Sequence, residues 1–233
     1  TRLKQGSGFT MAKIDQEEKA KIKELFEKNL KDDVNLLFFT KDEDCQYCGD
    51  TEEILEEVTG LDEKVSFEKY KLESDKAEEY GVDRAPAIIF LNEDGSDSGL
   101  HFYGIPSGYE FTSLIEDILD ASDRERIDLS DDIKEQVKAI DEEITLQVFI
   151  TPTCPYCPRA VRVAHQMALL NPNIRGEMVE AIEFEELSAS YNVSGVPKTV
   201  INHGADEQVG AVPAKTILSK IQNLPEDAAV ASE

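Results

Sequence analysis

Apolar and polar positions follow two different periods along the chain, and these periods predict an ordered set of strands and helices. Short apolar runs bounded by turn residues predict buried strands, as at residues 36–40 and 87–91. Apolar residues three and four positions apart predict amphipathic helices, as at Ile54, Leu55 and Val58. In the first half, helices are predicted over 16–30, 46–60, 74–81 and 109–121, and strands over 36–40, 65–72, 87–91 and 100–104.

The second half of the chain has the same order of elements. Helices are predicted over 131–140, 155–170, 185–191 and 214–224, and strands over 146–151, 178–182, 198–202 and 207–210. A polar, charged stretch at 122–129 separates the two copies, so we predict one unit over 11–122 and another over 123–226. Residues 1–10 contain no apolar core of a signal peptide and are interpreted as an expression scar.

Sequence motifs repeat together with the elements, which indicates an internal duplication. Each copy has a C-x-x-C motif, followed by a proline that precedes an apolar strand. Pro86 follows Cys45 by 41 positions, and Pro197 follows Cys154 by 43. A strand–helix–strand order implies a parallel pair with a right-handed crossover, and the closing hairpin adds antiparallel strands. Each unit is therefore predicted to be an α/β fold with a central mixed sheet flanked by helices.

The charge balance excludes one class of partner. The chain of 233 residues has 49 acidic and 24 basic residues, a formal net charge of −25, and phosphate backbones require basic patches. We interpret the acidity as the solvated surface of a protein from a halophilic cytoplasm, in which cations screen the repulsion. A melting temperature that rises with KCl would support this. No run approaches the roughly 20 apolar residues of a membrane span, so no membrane association is expected.

The two C-x-x-C motifs are the candidate chemical centres. Each lies where a predicted strand turns into a helix, and the positive end of a helix dipole favours a thiolate over a thiol. The first cysteine of each motif is at the open end, so Cys154 and Cys45 are predicted nucleophiles. Cys157 and Cys48 are the predicted resolving cysteines. The acidic residues 42–44 precede Cys45 directly and disfavour its thiolate, which predicts lower reactivity at that motif.

Zinc is the alternative ligand of these cysteines. Two C-x-x-C pairs can form a tetrahedral four-cysteine site. In zinc ribbons such pairs usually lie about 15–20 residues apart, whereas these lie 109 apart in separate copies of the repeat. We therefore expect redox chemistry and no metal. His101, His165 and His203 lack the spacing of metal ligands and are expected to be structural or surface residues.

With Cys-Pro-Tyr-Cys at 154–157, Val-Pro-Lys at 196–198 and Gly-Ile-Pro-Ser-Gly at 104–108, the duplicated chain resembles the archaeal protein disulfide oxidoreductases. The Cys-Pro-Tyr-Cys motif is also that of glutaredoxins. The resemblance covers residues from about 11 to 224 and implies tandem thioredoxin-like folds. It also implies that both prolines of the repeat follow cis peptide bonds and face the cysteines. The alternative for each is a trans proline at the start of an edge strand.

The same resemblance implies the substrate-binding residues. The backbone before each cis proline, at Ala85 and Val196, would pair with substrate peptide beside Pro86 and Pro197. Tyr47 and Tyr156, inside the two motifs, would shape the surface on which the peptide docks.

We accordingly expect a cytoplasmic thiol–disulfide oxidoreductase that acts on protein thiols and disulfides and has isomerase capacity. No metal and no organic cofactor is expected beyond the redox-active disulfides, and electrons would come from a thioredoxin-reductase-like flavoprotein. Two alternatives stay open. One is a dedicated electron carrier for a peroxidase or a ribonucleotide reductase, and the other is a non-catalytic four-cysteine zinc module.

Overall fold

The computed structural model describes residues 14–225, so the predicted expression scar at 1–10 lies outside the described residues. Eight helices and eight strands alternate in the order expected from the repeat. The helices are α1 Gln16–Asn29, α2 Cys48–Thr59, α3 Asp75–Glu79, α4 Glu110–Ser122, α5 Asp131–Lys138, α6 Cys157–Leu170, α7 Glu185–Ser190 and α8 Ala214–Gln222. The strands are β1 Val34–Thr40, β2 Val65–Lys71, β3 Ala87–Leu91, β4 Asp97–Tyr103, β5 Ile144–Ile150, β6 Ile174–Glu180, β7 Lys198–Ile201 and β8 Asp206–Val209.

All eight strands belong to one continuous sheet with the order β2-β1-β3-β4-β6-β5-β7-β8. Each half contributes four strands with the predicted mixture of parallel and antiparallel pairs. The halves join through β4 and β6, which pair in parallel from Leu100 opposite Gly176 to Tyr103 opposite Val179. The α/β class and the central mixed sheets are confirmed, but the two sheets are fused edge to edge.

Helices cover both faces of this sheet. The larger hydrophobic core lies on the face covered by α1, α2, α4, α5, α6 and α8, and it extends without a break through both halves. A smaller core lies on the other face, below α3 and α7. Gly176 lies where α6 crosses the sheet, and a Cβ there would approach the backbone of Ala164 within 2.7 Å. The glycine thus permits α6 to pack directly on the junction between the halves.

The helices that follow the cysteine motifs begin later than predicted. Both α2 and α6 start at the second cysteine, because the three preceding residues form a turn closed in the second motif by Cys157 N–H donating to Cys154 O at 3.4 Å. Pro158, and not Pro155 as expected, therefore occupies the first helical turn, where a missing N–H costs little. Between residues 14 and 225, no helix combines the length and the apolar composition that a bilayer span requires.

Candidate redox sites

The two cysteine motifs lie at the same edge of the sheet. Strands β1, β4, β5 and β6 run in one direction, as the pairings between neighbours show, so their carboxyl ends lie side by side. The first motif follows β1 and the second follows β5. Four strand spacings separate β1 from β5, which corresponds to about 19 Å. A single zinc ion cannot take ligands from both motifs over that distance.

The second motif, which we call the second site, is a closed disulfide. Cys154 and Cys157 are bonded, with their Cα atoms 5.5 Å apart. Cys154 retains 8% of its accessible surface and Cys157 none, so the predicted nucleophile is the more accessible of the pair. Tyr156 beside them is 71% exposed, in agreement with a position on a docking surface.

The first motif, which we call the first site, is more open. Cys45 and Cys48 are also disulfide-bonded, with the same Cα separation of 5.5 Å. Cys45 is half-buried and Cys48 is buried, and Tyr47 between them is half-buried, its hydroxyl bonded to the Gln46 amide. Of the acidic residues before Cys45, Asp42 forms an ion pair with Lys71. The reduced reactivity predicted for this site therefore depends mainly on Glu43 and Asp44.

Both prolines of the repeat follow cis peptide bonds, as the resemblance implies. They occupy equivalent places: Pro86 O accepts the N–H of Gly104, and Pro197 O accepts that of Gly210. Within the described part of the chain, the backbone groups of Ala85 and Val196 form no hydrogen bond. A free donor and acceptor next to each disulfide is the arrangement that an extended peptide could use to pair with the protein.

A cleft opens beside Cys45. It has a volume of about 480 Å³ and is lined by Asp44, Cys45, Gln46, Ala85, Pro86, Ile182 and Glu183. The first five belong to the first half of the chain, and the last two belong to the segment that follows β6. Ile182 is 64% exposed, which is unusual for a large apolar residue and places an apolar surface at the mouth of the cleft.

The segments that leave β4 and β6 cross each other. The segment after β4, residues 104–109, reaches the second site, where Tyr109 N–H donates to Pro152 O at 3.0 Å. The segment after β6, residues 181–183, reaches the first site. Where they cross, Ile105 N–H donates to Glu183 Oε1 at 2.6 Å. Each disulfide is therefore flanked by residues of the other half.

Ile182 and Glu183 were not predicted from the sequence to belong to a site. The motif Gly-Ile-Pro-Ser-Gly at 104–108 was part of the resemblance, but its contact with the second site was not expected. Of the two carboxylates that the strand positions suggested, Glu68 is exposed and bonded to Tyr70, whereas Glu180 is buried at the end of β6. Glu180 Oε2 accepts the N–H groups of Ile182 and Glu183 and thereby shapes the segment beside the first site.

Three buried carboxyl groups at this edge have raised pKa values. Burial raises the pKa of Glu183 to about 7, against the effect of the hydrogen bond from Ile105, and the nearby Glu180 raises it further. Burial also raises the pKa of Glu180. Glu110, which begins α4 directly after the crossing segment, is completely buried, and burial raises its pKa to about 7 as well.

Replacing Glu110 with glutamine is expected to stabilise the protein at pH 8 but not at pH 4.5. Because the folded-state pKa lies above the ordinary value of 4.5, the folded protein binds more protons between these values, and its stability falls as pH rises through that window. Glutamine does not ionise, so the variant should gain up to about 3 kcal/mol relative to wild type over this range. Urea unfolding across this range measures the gain. Glu53→Gln, an exposed position on α2, should show no such gain.

Comparison with known proteins supports the architecture. The family described as "Thioredoxin domain" matches residues 144–223, within the second half. The chain is 32% identical over 169 residues to the NADH dehydrogenase of Bacillus subtilis and 32% identical over 168 residues to the alkyl hydroperoxide reductase AhpF of Pseudomonas aeruginosa. Each alignment covers 72% of this chain, and the chain spans only about 30% of the length of either relative.

Two solved structures align with both halves at once. The alkylhydroperoxide reductase AhpF of Enterococcus faecalis, as its C503A mutant, aligns with a TM-score of 0.82 at 25% identity, covering 89% of this chain and 98% of the other. A protein disulfide oxidoreductase from Aeropyrum pernix aligns with a TM-score of 0.81 at 28% identity, covering 91% and 94%. The chain is therefore a thioredoxin-fold protein with two Cys-x-x-Cys disulfides, similar in its duplicated architecture to the protein disulfide oxidoreductase of Aeropyrum pernix.

Proposed function

We propose that this protein is a thiol–disulfide oxidoreductase that exchanges disulfides with cytoplasmic protein substrates at both cysteine pairs. The observation that supports this most directly is the first site. A half-buried Cys45 there lies in an open cleft beside the unpaired backbone of Ala85 and the cis proline Pro86. A peptide that pairs with Ala85 would bring its own disulfide next to the sulfur of Cys45.

The exchange would proceed through a mixed disulfide at the first cysteine of each pair. In the reduced protein, the thiolate of Cys45 or Cys154 attacks one sulfur of a substrate disulfide and releases the other as a thiolate. The second cysteine, Cys48 or Cys157, then attacks the first, which releases the substrate as a dithiol and leaves the protein oxidised. Both resolving cysteines lie in the first helical turn, where the helix dipole stabilises the thiolate required for that attack.

A thioredoxin-reductase-like flavoprotein is the proposed electron donor for regenerating the dithiols. Isomerase activity would use the same mixed disulfide, released by a second substrate thiol before the resolving cysteine reacts.

Insulin reduction with dithiothreitol tests the proposal when it is run on Cys45→Ser and Cys154→Ser separately. Each variant is expected to reduce insulin more slowly than wild type, and the double variant should show only the background rate. Thiol acidity favours Cys154, which predicts the larger loss for Cys154→Ser, whereas accessibility favours Cys45. Wild-type rates in both single variants would contradict the proposal.

A second candidate is a dedicated electron carrier for a peroxidase. It is favoured by the similarity to part of the alkyl hydroperoxide reductase AhpF of Pseudomonas aeruginosa, of which this chain spans 30%. A carrier would transfer electrons rapidly from its reduced disulfides to an oxidised thiol peroxidase and slowly to insulin. Stopped-flow mixing of the prereduced protein with each acceptor therefore separates the two functions.

A further inference from the structure

We infer that Glu183, a residue of the second half, is the general acid–base group for the substrate sulfur at the first site. The inference rests on the proposed function and adds to it a catalytic residue for one of the two sites. It stands on the position of the carboxyl group, on its fixed orientation and on the groups around it.

The position of Glu183 follows from the crossing of the two segments. Glu183 and Cys45 line the same cleft of about 480 Å³, together with Pro86 and the backbone of Ala85. A substrate bonded to Cys45 through a mixed disulfide would occupy this cleft, so its sulfur would lie between Cys45 and the carboxyl group.

The orientation of the carboxyl group is fixed from two sides. Ile105 N–H donates to Oε1 at 2.6 Å, and Glu183 N–H donates to Glu180 Oε2 at 2.6 Å. Gly104 has a φ of +98°, and any Cβ there would collide with the side chains of Glu180 and Glu183. The second oxygen, Oε2, accepts no hydrogen bond from the described residues and is available to a group in the cleft.

The surrounding charges allow the carboxyl group to hold a proton near neutral pH. The titratable groups that face it are Glu180 on its own segment and Asp44 of the first cysteine loop, both acidic. The segment after β4 contributes only a backbone N–H. The cation nearest in sequence to the cis proline, Arg84, is paired with Asp83. Burial and the negative charge of Glu180 therefore raise the pKa of Glu183 to about 7, which suits proton transfer at neutral pH.

The proton and electron balance is complete in both directions. When the thiolate of Cys48 attacks the sulfur of Cys45 in a mixed disulfide, the Cys45–Cys48 bond forms and the bond to the substrate sulfur breaks. The departing substrate thiolate takes the proton of Glu183, and the carboxylate regains a proton from water. In the reverse direction, the Glu183 carboxylate takes the proton of a substrate thiol while its sulfur attacks Cys45, and Cys48 leaves as a thiolate. The substrate sulfur is reduced in the first direction and oxidised in the second.

The experiment isolates the first site by using a background in which Cys154 and Cys157 are both serine. The rate at which a short cysteine-containing peptide opens the Cys45–Cys48 disulfide is measured by stopped flow from pH 5 to 9. With Glu183 present, the rate should level off near pH 7, because the carboxylate then supplies the base. In Glu183→Gln, the rate should rise about tenfold per pH unit up to the ionisation of the peptide thiol near 8.5, and at pH 7 it should be at least about tenfold slower than with Glu183.

The controls separate a chemical role from a structural one. Glutamine can still accept the Ile105 N–H, so a purely structural role would leave the pH profile unchanged. Glu183→Asp should restore part of the plateau, and Glu186→Gln, an exposed neighbour on α7, should match the background. An unchanged profile in Glu183→Gln would overturn the inference alone. No reaction of the peptide at Cys45 with Glu183 present would instead contradict the proposed function of the first site.

Discussion

Replacing Asp117 with alanine is expected to lower the free energy of unfolding by about 3–5 kcal/mol, the range for breaking a buried ion pair from one side. Asp117 on α4 is completely buried and forms an ion pair with Arg162 of α6. Its Oδ2 also lies 2.6 Å from Nδ1 of His165, whose Nε2 lies 3.2 Å from the carbonyl oxygen of His101. Both ring nitrogens of His165 thus face acceptors, an arrangement that the doubly protonated ring satisfies completely.

The large loss follows from what alanine leaves behind. Without Asp117, the imidazole of His165 has no carboxylate partner in the core, and Arg162 retains only Asp120. The helices α4 and α6 belong to different halves of the chain, so the loss weakens the contact between the halves. Urea unfolding measures it. Glu24→Ala, which breaks an exposed pair with Lys28 on α1, is the control and should cause no measurable change. A loss for Asp117→Ala below about 1 kcal/mol would show that the buried cations find other partners.

Replacing Gly108 with alanine is expected to lower stability by about 2–4 kcal/mol and to slow exchange at the second site. Gly108 has a φ of +60°, which costs roughly 1–2 kcal/mol for a residue with a Cβ. A Cβ would also collide with the backbone of Pro152, and overpacking of this kind typically costs about 1–3 kcal/mol. The collision displaces the loop that leads to Cys154, so the rate at that cysteine should fall as well.

Gly95→Ala is the matched control for the backbone strain. Gly95 also has a positive φ, +82°, but a Cβ there would meet no atom within 4 Å. Thermal melting of both variants separates strain from collision, and insulin reduction in a Cys45→Ser background reports on the second site. Equal losses of stability and equal rates in the two variants would contradict a specific role for the contact between Gly108 and Pro152.

The sequence predicted the local parts of the site well because their signals are local. The cysteine pairs, the strand before each and the proline before β3 and β7 follow from spacing within one copy of the repeat. The starts of α2 and α6 were wrong by two residues, since periodicity does not show that the turn of the motif ends at the second cysteine. The expectation that His165 is structural agrees with its burial between α4 and α6.

The relation between the copies could not be predicted from the same patterns. The alternation of β4 and β6 shows that both are buried, but it does not show that Leu100 pairs with the strand containing Gly176. The role inferred for Glu183 depends on two segments that are 78 positions apart in sequence and meet only through that pairing. Such contacts depend on the register between nonlocal strands, which hydrophobic periodicity does not encode.

The fused sheet constrains how this duplicated chain can change over time. Cutting the chain between the halves would expose the backbone groups of β4 and β6 along the new edges, and each fragment would lose the segment that covers its own disulfide. Neither copy can therefore be deleted, even if its cysteines lose their chemistry, because the remaining copy still needs it as a scaffold. One disulfide is free to drift toward another potential or substrate while the strands beneath it are retained by selection on its neighbour.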